Sequence, residues 1–169
     1  MAEFHAKIAV RDGIDTQLLI PFKDFSSFWK DIAQKEFIEW CHRTSNFTSK
    51  LYFSNFYHEG RDPWYKHLNL NSKAISSISR LRSGHTSLKA SLHRFKITAD
   101  PDCLCGEEQT VEHILFQCEH LNVQRDKFLK TIWKNWGYGP INANYILSAS
   151  DSEIILALGT FINDINVNI

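Results

Sequence analysis

The apolar residues of this chain recur mainly at helical intervals. From Phe25 to Trp40 they return about every third or fourth position, with Lys and Glu between them, as expected for one face of an α-helix. The same periodicity predicts helices over residues 72–83, 86–95, 121–136 and 154–165, and a short helix from about Thr110. Residues 44–63 contain aromatics without a clear period and predict an irregular connector. The pattern therefore predicts a mainly α-helical fold.

Residues with helix-ending or helix-starting preferences mark several of these boundaries. Gly84 and Gly137 follow the last periodic residues of two predicted helices, where a left-handed backbone is often required. Ser72 is a candidate N-cap for the second helix, and Ser150 or Asp151 for the last one, because short polar side chains accept hydrogen bonds from free amide groups.

Length and composition favour one folded domain. The chain has 169 residues, of which 43% are hydrophobic and 13% aromatic, and its formal net charge is zero. That hydrophobic content is too high for a disordered chain. No run of eighteen apolar residues and no secretory signal is evident, which predicts neither a membrane span nor export. We expect an intracellular protein, nuclear or cytoplasmic.

Three of the four cysteines lie close together with a histidine. The spacing is Cys103-x-Cys105-x7-His113-x4-Cys118, and thiolate with imidazole is the ligand set that Zn²⁺ prefers. Four protein ligands complete a tetrahedral shell, so the predicted zinc is structural rather than catalytic. The fourth thiol, Cys41, lies beside Trp40 on a predicted helix and is expected to be an ordinary core residue.

Other interpretations of the cluster stay open at this point. Cys118 could form a disulfide with Cys103 or Cys105, the thiols could simply be buried, or His120 could replace His113 as ligand. Residues five apart on an α-helix point about 140° away from each other. His113 and Cys118 can therefore share a metal only if the helix ends or bends near Cys118, and we predict that it does.

The ligand order argues against two other zinc proteins. In zinc deaminases His-x-Glu precedes a Pro-Cys-x-x-Cys pair, whereas here the histidine follows the first two cysteines. A RING domain needs more ligands than this chain offers. We therefore interpret Glu112 as a solvated helix residue rather than as a general base.

Charge is divided between two neighbouring segments. Residues 73–96 contain six basic residues and no acid, whereas residues 100–119 contain six acids and no Lys or Arg. Nucleic-acid surfaces neutralise phosphates, which favours the basic segment as the contact for RNA or DNA backbones. The candidate contacts are Arg80, Arg82, Lys89, Arg94 and Lys96. Alternatively, the two segments pair with each other.

Three stretches together resemble a known family. The runs Arg80-Leu81-Arg82-Ser83-Gly84-His85-Thr86, Cys103-Leu104-Cys105-Gly106 and Thr110-Val111-Glu112-His113-Ile114-Leu115-Phe116-Gln117-Cys118 are similar to the C-terminal region of LINE-type (non-LTR) retrotransposon reverse transcriptase polyproteins. This resemblance implies a remnant of the last RNase H helix and linker at residues 1–20. It also implies a helical domain at residues 21–169 that contains the CCHC zinc knuckle at 103–118.

The resemblance implies a fragment without an active site. Glu3 stands where the family's RNase H domain has one metal-binding Asp, and the other carboxylates of that site have no counterpart here. We therefore expect a non-catalytic zinc-binding fragment that helps to bind RNA or DNA through backbone contacts of low sequence specificity. The missing polymerase domains are a further expected partner. The alternatives are a protein-interaction module, or an RNase H enzyme by descent.

Overall fold

The structure is a computed structural model that describes residues 22–60 and 62–169. It is mainly helical, as predicted. Within these ranges the only β-type pairing is an isolated antiparallel bridge between Asp102 and Glu108. The chain divides into two units, Met1–Trp40 and Cys41–Ile169. The predicted boundary after residue 20 lies outside the described residues and stays a prediction.

Seven α-helices are present in the described ranges, with shorter helical turns between some of them. A 3₁₀ turn, Phe22–Phe25, precedes the first helix; a π-helical turn, His113–Gln117, and a 3₁₀ turn, Glu119–Leu121, precede the fifth. The helices are α1 Ser26–Ser45, α2 Lys50–Asn55, α3 Ser72–Ser83, α4 Lys89–Arg94, α5 Asn122–Trp136, α6 Ala143–Leu147 and α7 Ser152–Asp164.

The first unit contributes most of α1 to the described structure. Several of its large side chains are exposed rather than packed, namely Phe28, Trp29, Phe37 and Trp40. No helix in the described residues is long and apolar enough to cross a membrane.

The core of the second unit forms where α3, α5 and α7 pack together. Ile78 of α3, Ile132 of α5 and Ile162 of α7 are fully buried, and the Phe128 and Phe161 rings stack with centroids 5.3 Å apart. Each such buried side chain contributes about 1.5–3 kcal/mol through the hydrophobic effect. The cysteine cluster packs against this core.

One glycine allows chain segments to approach closely within this core. A Cβ at Gly159 of α7 would lie 2.5 Å from Leu70 Cδ2 and 3.5 Å from Ala74 Cβ of α3. A distance of 2.5 Å is well inside van der Waals contact, so a side chain at this position would displace Leu70. The packing of Leu70, which precedes α3, against α7 therefore depends on this small residue.

The helix boundaries confirm most of the predicted signals and correct one. Gly84 and Gly137 end α3 and α5 with φ values of 73° and 74°, and Asp151 caps α7 by accepting from the Glu153 amide. The predicted cap Ser72 is wrong. Asn71 caps α3 instead, through its side-chain oxygen and the Ala74 amide at 2.9 Å.

Three further differences concern short segments. The region 44–63, predicted to be irregular, contains α2, and α6 was not predicted. The helix predicted over 86–95 is shorter in the structure, so Phe95 follows α4 and is 51% exposed instead of facing inward.

Candidate metal centre

A tight turn brings the first two cysteines together. The Cys103 amide donates to the Glu107 carbonyl at 2.7 Å, and the Gly106 amide donates to the Cys103 carbonyl at 3.0 Å. Gly106 has a φ of 91°, a conformation that side-chain-bearing residues rarely adopt. The turn therefore places both thiols on one side of the loop.

The other two cluster residues are joined by a widened helical turn. The Cys118 amide donates to the His113 carbonyl at 2.8 Å, the i to i+5 bond that defines a π-turn. At Cys118 the backbone leaves the helix, with ψ 118°. The prediction that the helix ends or bends here is confirmed, and the π-turn is the means by which residues five apart reach the same site.

The four side chains converge on one point. All their candidate ligand atoms lie within 4.8 Å of one another. Cys103 Sγ lies 3.7 Å from Cys118 Sγ, and Cys105 Sγ lies 3.1 Å from His113 Nε2. His113 and Cys118 are buried, and the other two are half-buried. The cluster could hold a metal ion.

Two of the alternatives for this cluster, the disulfide and His120 as ligand, do not match the structure. All four cysteines of the chain are free thiols, so the disulfide interpretation is not supported. His120 is exposed and is not among the converging residues, so His113 is the histidine of the cluster. Cys41 is buried in the core apart from the cluster, as predicted.

The thiols of the cluster differ in acidity. Burial disfavours the Cys103 thiolate, but hydrogen bonds from the Cys105 backbone and from the other cluster side chains outweigh it and lower its pKa to about 6. Burial and the hydrogen bond with Cys103 raise the pKa of Cys118 to about 11. Like charges that share a site titrate in separate steps. A cation among the sulfurs would favour the thiolate forms.

A buried arginine supports the cluster from outside. Arg125 Nη1 donates to the Cys118 carbonyl at 2.5 Å, and its Nη2 donates to the Asn122 side chain. The His113 amide donates to Thr110 Oγ1 at 3.1 Å. These bonds fix the backbone at both ends of the π-turn. Sequence reasoning missed Arg125, because no motif around this residue of α5 marks it as part of the site.

Glu112 has a role that the sequence did not indicate. Its side chain is exposed, and Oε1 accepts a hydrogen bond from the Ala143 amide at 3.0 Å, at the first residue of α6. A carboxylate is favourable at the positive end of a helix. Glu112 therefore joins the turn that carries His113 to α6.

The structure places one predicted phosphate contact in the interior. Arg82 is 7% exposed, its Nε donates to the Leu147 carbonyl at 2.9 Å, and its guanidinium lies 4.4 Å from the Trp64 ring centroid. Burial lowers its pKa. The Arg82 side chain is therefore not exposed. This corrects the prediction that it lies on one basic surface with the other candidate nucleic-acid contacts.

The remaining candidate contacts have different surroundings. Arg80 Nη1 donates to the Ile169 main-chain oxygen at 2.9 Å, and Lys89 forms a 2.7 Å ion pair with Asp100. This pair shows that the basic and acidic segments do meet at one position. Arg94 and Lys96 are exposed.

No family profile, curated protein or solved structure matches this chain. Glu3 and the rest of residues 1–20, for which the sequence resemblance implies an RNase H remnant, lie outside the described residues.

Proposed function

We propose that this chain is a non-catalytic module stapled by one structural zinc ion, that it contacts RNA or DNA backbones, and that it derives from the C-terminal region of a LINE-type reverse transcriptase polyprotein. The observation that carries the proposal is the convergence of Cys103, Cys105, His113 and Cys118. The same residues form the motif on which the family resemblance rests.

Zinc fits the donor set and the spacing. Sulfur and imidazole ligands suit Zn²⁺, whereas Mg²⁺ and Ca²⁺ prefer oxygen. Tetrahedral zinc with Zn–S bonds of about 2.3 Å separates two sulfurs by about 3.8 Å, close to the 3.7 Å between Cys103 and Cys118. Four protein ligands leave no position for a reactive water, so the ion would stabilise the fold rather than catalyse a reaction.

The proposed nucleic-acid contact is an exposed basic and aromatic surface, the Phe95 patch, made of His85, Arg94, Phe95 and Lys96. The Phe95 ring stacks on His85 with centroids 6.0 Å apart, and the Arg94 guanidinium lies 4.9 Å from its centre. Exposed rings stack on bases, and neighbouring cations attract phosphates. This combination supports binding of single strands with little sequence preference.

The two cations of the patch are available for phosphates. Arg94 donates to the Gly84 carbonyl at a long 3.3 Å, and no described acidic side chain pairs with it or with Lys96. Lys89 is committed to Asp100. We therefore assign the contact to the patch rather than to the whole basic segment.

Salt titration with single-stranded RNA and DNA tests the patch. Two neutralised phosphates give a slope of log affinity against log salt of about −1.4. Arg94→Glu with Lys96→Glu should abolish binding, and Phe95→Ala should weaken it without changing the slope. Lys134→Glu, an exposed charge reversal on α5, is the control. Unchanged affinity in a folded double variant would refute the patch.

A protein-interaction module is the second candidate. The exposed aromatics of α1, including Phe28, Trp29 and Phe37, are unusual on a free surface. This function predicts zinc binding without any salt-dependent affinity for nucleic acid. The same titration therefore distinguishes the two candidates.

An RNase H activity is tested directly. Incubation with an RNA–DNA hybrid and Mg²⁺ should leave the RNA strand intact, because the two-metal mechanism needs several carboxylates. Cleavage that disappears in Glu3→Ala would instead identify an enzyme.

A further inference from the structure

A cleft of about 370 Å³ opens beside the buried Arg82, away from the cysteine cluster. Its walls include the aromatic side chains of Phe56, Tyr57 and Trp64, and exposed Ser150 also lines it. A volume of about 300–1,000 Å³ is typical of small-molecule sites. No acidic side chain is among the described residues that line it.

The guanidinium has donors that the described protein does not use. Arginine carries five N–H groups. In Arg82 the Nε group donates to Leu147, and the ring of Trp64 covers one face of the plane. No described residue accepts a hydrogen bond from Nη1 or Nη2, and no described carboxylate forms an ion pair with them. Burying a cation without a counter-ion is costly.

We propose that this cleft binds a small oxyanion, a carboxylate or a phosphate carried on a flat apolar group. Two oxygens of the anion would accept from Nη1 and Nη2 of Arg82 in the bidentate geometry that guanidinium favours. The apolar part would lie against the aromatic walls. His58 also lines the cleft, and its Nδ1 accepts a hydrogen bond from the Gly60 amide.

The test uses three anionic probes and one neutral control. Benzoate, phenyl phosphate and inorganic phosphate are titrated into the zinc-loaded protein while the Trp64 indole and Arg82 Nε–H NMR signals are followed. Benzamide, which has the shape of benzoate without its charge, is the control. Benzoate or phenyl phosphate should bind at least about tenfold more tightly than benzamide, because hydrogen bonds to charged groups contribute about 1.5–3 kcal/mol.

The three anions also identify the source of the oxyanion. Preference for benzoate assigns a carboxylate ligand and preference for phenyl phosphate a phosphate ester, and both should exceed inorganic phosphate, which has no apolar group. Equal binding of benzamide and benzoate, or no response to any anion, overturns the proposal.

Two variants keep the test independent of folding. Arg82→Met retains an unbranched side chain and should lose the anion response. If it does not fold, Ser150→Trp fills the cleft from its exposed rim and should block binding while the Arg82 hydrogen bond to Leu147 is retained. Undiminished anion binding in folded Ser150→Trp places the ligand elsewhere and refutes the assignment.

Discussion

Removal of one cluster ligand should make thermal stability independent of zinc. Cys105→Ser removes the sulfur that lies 3.1 Å from His113 Nε2, and with it one of the four proposed zinc ligands. A site with nanomolar affinity at micromolar free zinc adds about 4 kcal/mol to the free energy of unfolding. For a unit of this size that corresponds to a fall in Tm of about 15 °C.

Zinc content and Tm, measured with and without chelator, check this expectation. Wild type should hold one equivalent of zinc and lose about 15 °C on chelation, whereas Cys105→Ser should hold none and be unaffected by chelator.

The matched control is Cys41→Ala, which removes a buried thiol outside the cluster. It should cost about 1 kcal/mol through lost packing and keep the full response to chelator. The reasoning fails if Cys105→Ser retains one equivalent of zinc, or if chelator leaves the wild-type Tm unchanged.

Three further predictions concern contacts around the site and in the core. Arg125→Met should remove one of the two hydrogen bonds that the Cys118 carbonyl accepts, leaving the one from the Leu121 amide, and should reduce zinc affinity about tenfold or more. Lys127→Met, at an exposed position of α5, is the control and should leave the metal titration unchanged. Gly159→Leu should lower the free energy of unfolding by about 1–3 kcal/mol through overpacking, whereas Gly159→Ala should cost less because higher helix propensity offsets the clash; urea denaturation separates the two. The hydrogen bond from Lys89 lowers the pKa of Asp100, so the pair stabilises the fold above about pH 4 and stops doing so as the pH falls through the lowered value. Lys89→Met should return the carboxyl titration, followed by NMR, to its ordinary range.

The cluster was predictable because its chemistry is local. Its four residues lie within sixteen positions, and ligand type and spacing carry the information whatever the rest of the chain does. The bend at Cys118 followed from the same geometry. The kind of bend did not, because a π-turn depends on backbone bonds that the spacing alone does not specify.

Helical spacing in the sequence indicates that Arg82 is buried, whereas a count of charges along the segment does not. Ile78 and Arg82 are four residues apart and lie on the same face of α3, and Ile78 is fully buried. Arg80, two residues before Arg82, points about 160° away from it. Helical phase, rather than the sum of charges, therefore separates the two arginines of the motif.

The hydrophobic periodicity did not predict the shortest helices, for a related reason. α2 and α6 contain six and five residues, less than two turns, so no periodicity can develop within them. At the start of α6, Asn142 caps the helix by accepting a hydrogen bond from the Tyr145 amide, and the Ala143 amide donates to Glu112 from outside the helix.

The widened turn between His113 and Cys118 also constrains how this sequence can change over generations. One deleted codon inside the turn would leave the two ligands four residues apart, where an ordinary α-turn aligns them without a π-bond. One inserted codon would place them six residues apart, and neither an α-turn nor a π-turn aligns residues at that spacing. Related genes should therefore tolerate a loss at this point more readily than a gain, and a search for them should accept three or four residues between the histidine and the cysteine.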